Sequence, residues 1–214
     1  DISLRSDGSS IFGVNNRFTN TWSLGLGWNI SDETFMKNLG FIDYMKIRGS
    51  IGNPGNQNFD AGMVFNTYTY NPNYHNLFGL SSFISSYGNR NLKWQKTIDS
   101  NIGLDLEVLD HRLRLNFDTY KKVTDSLLIY ISVPISTGTN QVPYNVGTSV
   151  STGYSFMANY SIIRKNGINW QVNTNGRYNK SVYKEIGNLL DSFNKDNLAS
   201  RSLNRYYDNG SPTD

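Results

Sequence analysis

Between Thr21 and Ile30 the chain reads TWSLGLGWNI, and every second residue is large and apolar: Trp22, Leu24, Leu26, Trp28 and Ile30. The positions between them, Ser23, Gly25, Gly27 and Asn29, are small or polar. Successive side chains of a strand point to opposite faces, so this stretch predicts a strand with one apolar face and one thin polar face. It is longer than most strands of soluble sheets and matches the roughly 9–11 residues that carry a tilted strand across a bilayer. At about 3.3 Å per residue the two tryptophans lie roughly 20 Å apart, where indoles would sit at the two headgroup levels. One such strand, taken alone, is better read as a half-buried strand of a water-soluble sandwich.

The same period recurs along the chain. Ile2 and Leu4 alternate with Ser3 and Arg5, and Asp7-Gly8-Ser9-Ser10 predicts a turn. After Ile30, Ser31 is placed to cap a short helical turn, with Asp32 and Glu33 in its first turn and Phe35, Met36 and Leu39 as its packing face. Met45, Ile47, Gly49 and Ile51 alternate with Lys46, Arg48 and Ser50, a strand with a basic inner face that ends at Gly52-Asn53-Pro54. From Phe59 to Lys93 the pattern dissolves into one long loop, with a small hairpin expected near Val64 to Tyr70. Ile98 through Val108 alternate with Asp99, Asn101, Gly103, Asp105 and Glu107, and Asp110-His111-Arg112 predicts a tight turn. Leu113, Leu115, Phe117 and Thr119 continue opposite Arg114, Asn116, Asp118 and Tyr120, extending toward Ile131. A second irregular region containing Pro134, Gly138 and Pro143 runs to about Gly147. Tyr154, Phe156, Ala158, Tyr160 and Ile162 form the next apolar face, Arg164 to Gly167 turn the chain, and Ile168 to Tyr178 form the last strand. From Ser181 onward the periodicity is lost.

The connections alternate. After the third strand they run long, short, long, short, long, as in an up-and-down membrane barrel with short turns at one rim and long loops at the other. This parity leaves no room for a single spanning strand within the long loop. The reading is an all-β, antiparallel transmembrane barrel segment of about seven spanning strands with long extracellular loops. That is fewer than the roughly eight of the smallest membrane barrels, and a sheet with raw edges in lipid is not viable. A larger barrel is therefore expected. The opening Asp1, with no signal peptide, likewise predicts a chain that begins inside or after a removed segment.

Composition agrees. Only 37% of residues are apolar but 14% are aromatic, which suits sheets that are apolar on one side. No run of about 18 apolar residues exists, which excludes a helical span. With no cysteine, neither disulfides nor thiolate metal sites are available. The net charge of +3 comes from scattered basic residues, and nucleic-acid binding calls for a clustered basic face.

Asp99, Asp105 and Glu107 share one strand face at a spacing that would allow an acid pair of glycosidase type; lining of a barrel lumen, with Arg114 across the hairpin, is the favoured reading. His75 and His111 have no matching ligand set, no nucleophile motif or phosphate loop is present, and no metal or cofactor is expected. Gly25 and Gly27 on the inner face either let a plug domain approach the wall or relieve strain in a coiled strand. Lys46, Arg48, Arg114 and Arg177 are expected to present charge to the lumen. Tyr68, Tyr70, Tyr74 and Tyr87 in the long loop can stack on sugar rings or pack on a partner, or simply hold their own loop together.

Several motifs fall in order: Asp7-Gly8-Ser9-Ser10 with Phe12-Gly13 and Asn16-Arg17; Leu26-Gly27-Trp28-Asn29-Ile30-Ser31; Lys46-Ile47-Arg48-Gly49-Ser50-Ile51-Gly52. Asn89-Arg90-Asn91-Leu92-Lys93-Trp94-Gln95-Lys96-Thr97 follows, then Asp118-Thr119-Tyr120-Lys121-Lys122, Asn145-Val146-Gly147 and Arg205-Tyr206-Tyr207-Asp208. As a set they resemble SusC-like TonB-dependent outer-membrane transporters over nearly the whole chain. A departure lies at Ser151-Thr152-Gly153-Tyr154-Ser155, which lacks an acid common in the family at that place. The resemblance implies that residues 1–214 are a middle-to-late part of a barrel of about 22 strands, without its plug and closing strand. It also implies an outer-membrane location, import of glycans or peptides, a SusD-like surface lipoprotein as partner, and coupling to TonB through the plug. Two other functions compete: a soluble β-sandwich that binds carbohydrate through the loop tyrosines, and a secreted hydrolase using Asp105 and Glu107.

Overall fold

A computed structural model of the chain describes residues 1–10, 16–36, 40–55, 61–165, 167–187, 190–199 and 205–211. The alternating stretches form strands β1 (Ile2–Gly8), β2 (Phe18–Asn29), β3 (Ile42–Asn53), β6 (Lys96–Val108), β7 (Leu113–Asp125), β10 (Thr148–Lys165) and β11 (Ile168–Lys184). They pair antiparallel in the order β1-β2-β3-β6-β7-β10-β11, each main strand beside its predecessor in the sheet. Two hairpins stand apart: β4 (Thr67–Asn76) with β5 (Gly79–Ser86), and β8 (Leu128–Ser132) with β9 (Gln141–Asn145). A helix, α1 (Asp191–Ala199), follows β11.

Residues paired across antiparallel strands share a face, so the register shows how the seven patterns combine. Trp28, Ile47, Leu104, Phe117, Phe156 and Gly176 form one row across β2 to β11. Leu26, Gly49, Ile102, Thr119, Tyr154 and Tyr178 form another. All seven apolar faces therefore merge into one. The apolar band runs from Trp22 to Trp28 on β2 but from Trp170 to Tyr178 on β11. Its two borders slip by about four and six residues across five strand spacings, a strand tilt of roughly 30–40°, close to that of membrane barrels.

No second layer covers this face among the described residues. Leu26 is 70% exposed, Ile102 62% and Phe156 45%. The chain exposes 14717 Å², whereas a water-soluble domain of its mass would expose roughly 10,000 Å². A sandwich would bury Trp22, Leu104 and Phe156 between two sheets; here Trp22 and Phe156 are exposed and Leu104 is half-buried within the single layer.

Several local expectations change. The turn after β2 is a 3-10 turn over Ile30–Asp32, and Ser31 lies inside it instead of capping it, because the strand runs directly into the turn from Asn29. Phe35 is 61% exposed, so it is no packing face, and Leu39 lies outside the described residues. The hairpin expected near Val64 to Tyr70 is displaced and longer, spanning β4 and β5, and a second hairpin occupies the region of Pro134 and Pro143. Past Ser181 the strand continues to Lys184 before α1. The β6–β7 turn holds Leu109, Asp110 and His111 at φ of 63°, 56° and 57°, a strained run steadied by the His111 N–H donating to Asp43 at 2.8 Å.

Candidate functional site

The inner face of the sheet and the rim where the long loops meet carry the polar chemistry. Alternation sends Lys46, Arg48 and Ser50 of β3 inward, opposite Asp105, Gly103 and Asn101 of β6. Arg48 donates to both Asp105 oxygens, at 3.0 Å from Nε and 3.2 Å from Nη2. It also reaches across Gly103 to lie 2.8 Å from Asp118 on β7. A Cβ at Gly103 would fall 2.6 Å from Asp118 Oδ1 and 2.8 Å from Arg48 Cζ, so the bare backbone is what lets the guanidinium cross. Asn116 donates to Asp105 Oδ1 at 2.8 Å and completes the cluster.

Closer to the short turns, Glu107 is met by Arg114 at 3.2 Å and by His111 at 2.6 Å. Neither Asp105 nor Glu107 is thus poised as a catalytic acid: each is bound by cations or donors of its own wall. Arg48 and Arg114 stand on the same face as these acids and are held by them, Arg114 from across the hairpin. Arg177 donates to Tyr120 Oη at 3.1 Å, with its guanidinium 5.6 Å from the ring centroid, and Tyr120 donates to Asn179 at 2.8 Å. Tyr120 lies over Gly153, where a Cβ would come within 2.7 Å of its hydroxyl. Gly25 faces open space, while Gly27 lies beneath the Lys46 side chain. Toward the long loops the inner face hollows into a concavity of about 580 Å³ lined by Arg5, Thr21, Ser23, Arg48, Ser50 and Asp99.

The rim is built differently. Trp94, only 5% exposed, donates from Nε1 to the Asn16 carbonyl at 2.7 Å, tying the loop before β6 to the loop before β2. Asn145 exchanges hydrogen bonds with the Lys93 backbone in both directions, at 2.8 and 3.1 Å, and donates to Ser126 O at 2.9 Å. Asn89 donates to Pro143 O at 3.1 Å. Residues 89–94 thus fasten three loops together around buried Leu92 and Trp94. Beside them Val146, Ile186 and Leu190 form a small core, with Ile129, Tyr183, Phe193 and Tyr206 packed on it. Alternation does not reveal this junction; its signal is the Asn89-to-Thr97 motif that carries much of the family resemblance.

Of the loop tyrosines, Tyr68 and Tyr70 share one face of the β4–β5 hairpin, 55% and 69% exposed. Tyr87, half-buried, follows β5, and the side chain of Tyr74 lies outside the described residues.

A family model described as "TonB dependent receptor-like, beta-barrel" matches residues 1–212. TonB-dependent receptor P39 of Formosa agariphila is 35% identical over 186 residues, which are 86% of this chain and 18% of that protein. TonB-dependent receptor SusC of Bacteroides thetaiotaomicron is 32% identical over 197 residues, 89% of this chain and 20% of that one. Among solved structures, the RagAB peptide importer in its closed-closed state superposes with a TM-score of 0.78 and 27% identity, covering 86% of this chain and 20% of that chain. The chain spans about a fifth of the length of these relatives. With its open apolar face, its tilted antiparallel order and this match along nearly its whole length, the chain belongs to the TonB-dependent receptor-like β-barrel family and is SusC-like.

Proposed function

We propose that this chain forms part of the wall of a larger outer-membrane barrel, a SusC-like, TonB-dependent importer that takes up glycans or peptides. The observation that carries the reading is the single apolar face shared by seven tilted strands and left open, which only lipid or further protein could cover. The wall itself does no chemistry. Transport energy would come from the inner membrane through a plug seated against the lumenal face, where Gly25 leaves the backbone open and Arg5, Arg48 and Asp99 line a polar hollow. The long loops would shape entry beneath a SusD-like surface lipoprotein, with Tyr68 and Tyr70 as the exposed rings best placed to stack on cargo.

Uptake tests this. Cells carrying the full-length protein should accumulate labelled oligosaccharide or oligopeptide, and deletion of its gene or of TonB should abolish that accumulation. Accumulation unchanged by both deletions would reject the importer reading.

A further inference from the structure

The outward face is not uniformly apolar. The row above Thr119, Tyr154 and Tyr178 reads Ser100, Lys121, Thr152, Lys180, and the register places both lysines on the same face as Leu104 and Phe156. Two rows further toward the long loops Lys96 and Lys184 face the same way. All four are exposed, and none forms an ion pair among the described residues. The outward positions toward the same end of β1, β2 and β3, Ser6, Asn20 and Asn53, carry no charge. The lysines are therefore gathered on β6, β7 and β11.

An unpaired ammonium on the outside of a membrane barrel is costly at mid-bilayer and tolerated near the interface. The interface here is marked by rings: Tyr154 stacks on Tyr178 at 5.3 Å between centroids and on Phe117 at 6.5 Å. Because Thr119 and Thr152 are short, a groove of about 460 Å³ opens beside these rings, lined by Ile102, Thr119, Lys121, Thr152, Tyr154 and Tyr178. Its floor is apolar and aromatic and Lys121 stands at its upper end. Lys180 lies two strands away, roughly 10 Å.

Resting on the reading of this face as lipid-facing, we propose that the groove with Lys121 and Lys180 is a binding site for an anionic, phosphate-bearing lipid of the leaflet at the long-loop rim. The acyl chain lies along Ile102, Tyr154 and Tyr178. The two ammonium groups, on stems long enough to rise toward the water, receive the headgroup phosphate.

The test uses the full-length protein in phosphatidylcholine vesicles carrying spin-labelled phosphatidic acid or spin-labelled phosphatidylcholine, with the motionally restricted fraction of each read by electron spin resonance. The expected result is a preference of about fivefold or more for phosphatidic acid, the scale of one to two lysines near an anionic headgroup. It should fall to near unity in the Lys121→Gln, Lys180→Gln double variant and in high salt, and survive in Lys122→Gln, whose side chain faces inward. Absence of preference in the unaltered protein, or its persistence in the double variant, would overturn the site while leaving the lipid-facing wall intact. No restricted fraction with either lipid would overturn both.

Discussion

Two tryptophans show how differently the wall and the rim are held. Trp28, on the wall, is 52% exposed and its indole N–H donates to Glu33 at 3.0 Å. Trp94, on the rim, is 5% exposed, and its indole N–H closes the contact between two loops. The wall draws its order from backbone ladders and from polar clusters on its inner side, and leaves its apolar side chains uncovered by protein among the described residues. The rim is assembled like a water-soluble protein, with Leu92, Val146, Ile186 and Leu190 withdrawn from water and Asn89 and Asn145 satisfying loop backbone. On the lipid-facing reading one chain folds under two solvents, and the boundary between the regimes lies where β3, β7 and β11 end and where β6 and β10 begin.

Removing lipid should break the comparison most severely. The 214-residue segment produced in water without detergent should aggregate, because the wall's apolar face then meets water along its whole length. A monodisperse, folded sample by light scattering and circular dichroism would refute the two-solvent account.

Next in size is the rim. Trp94→Ala in the full-length protein should cost about 3–5 kcal/mol, read as a lower denaturation midpoint, with new protease cuts in the loops while the strands stay protected. On the inner wall, Arg48→Ala leaves Asp105 and Asp118 facing each other without their shared cation. Since the Arg48 side chain is 40% exposed, screening should hold the loss to about 1 kcal/mol, and it should shrink further in high salt. Smallest is Trp28→Leu, where a lipid-facing indole is exchanged for another apolar group; a change under about 1 kcal/mol in the same assay is expected. A loss as large as that of Trp94→Ala would place Trp28 in a protein interior.

The wall was legible because its physics is local. A period of two needs no partner to be seen, and the register then joins Trp28 to Phe156 as the patterns require. The rim was not legible by the same means. Its burial arises between residues far apart in sequence, Asn16 with Trp94 and Lys93 with Asn145, and its strands β8 and β9 are five residues each, separated by a connection with Pro134 and Gly138 and carrying Pro143 inside β9. The inner-wall acids were placed on the correct face, and Arg114 across the hairpin does meet Glu107. What alternation could not show was that Arg48 crosses a strand to Asp118, since that depends on a glycine lying opposite it in register.

The claim that everything else depends on is which side of the sheet meets the bilayer. The 214 residues contain no cysteine, so single substitutions along β6 and β10 would report alone in this region. Cysteines placed in turn at Asn101, Ile102, Leu104, Ser155 and Phe156 of the full-length protein in membranes can be offered a lipid-confined and a water-soluble thiol reagent. The account predicts that Ile102, Leu104 and Phe156 react with the lipid-confined reagent alone and their neighbours with the aqueous one. Protection of Leu104 and Phe156 from both reagents, or an exchanged pattern, would contradict it.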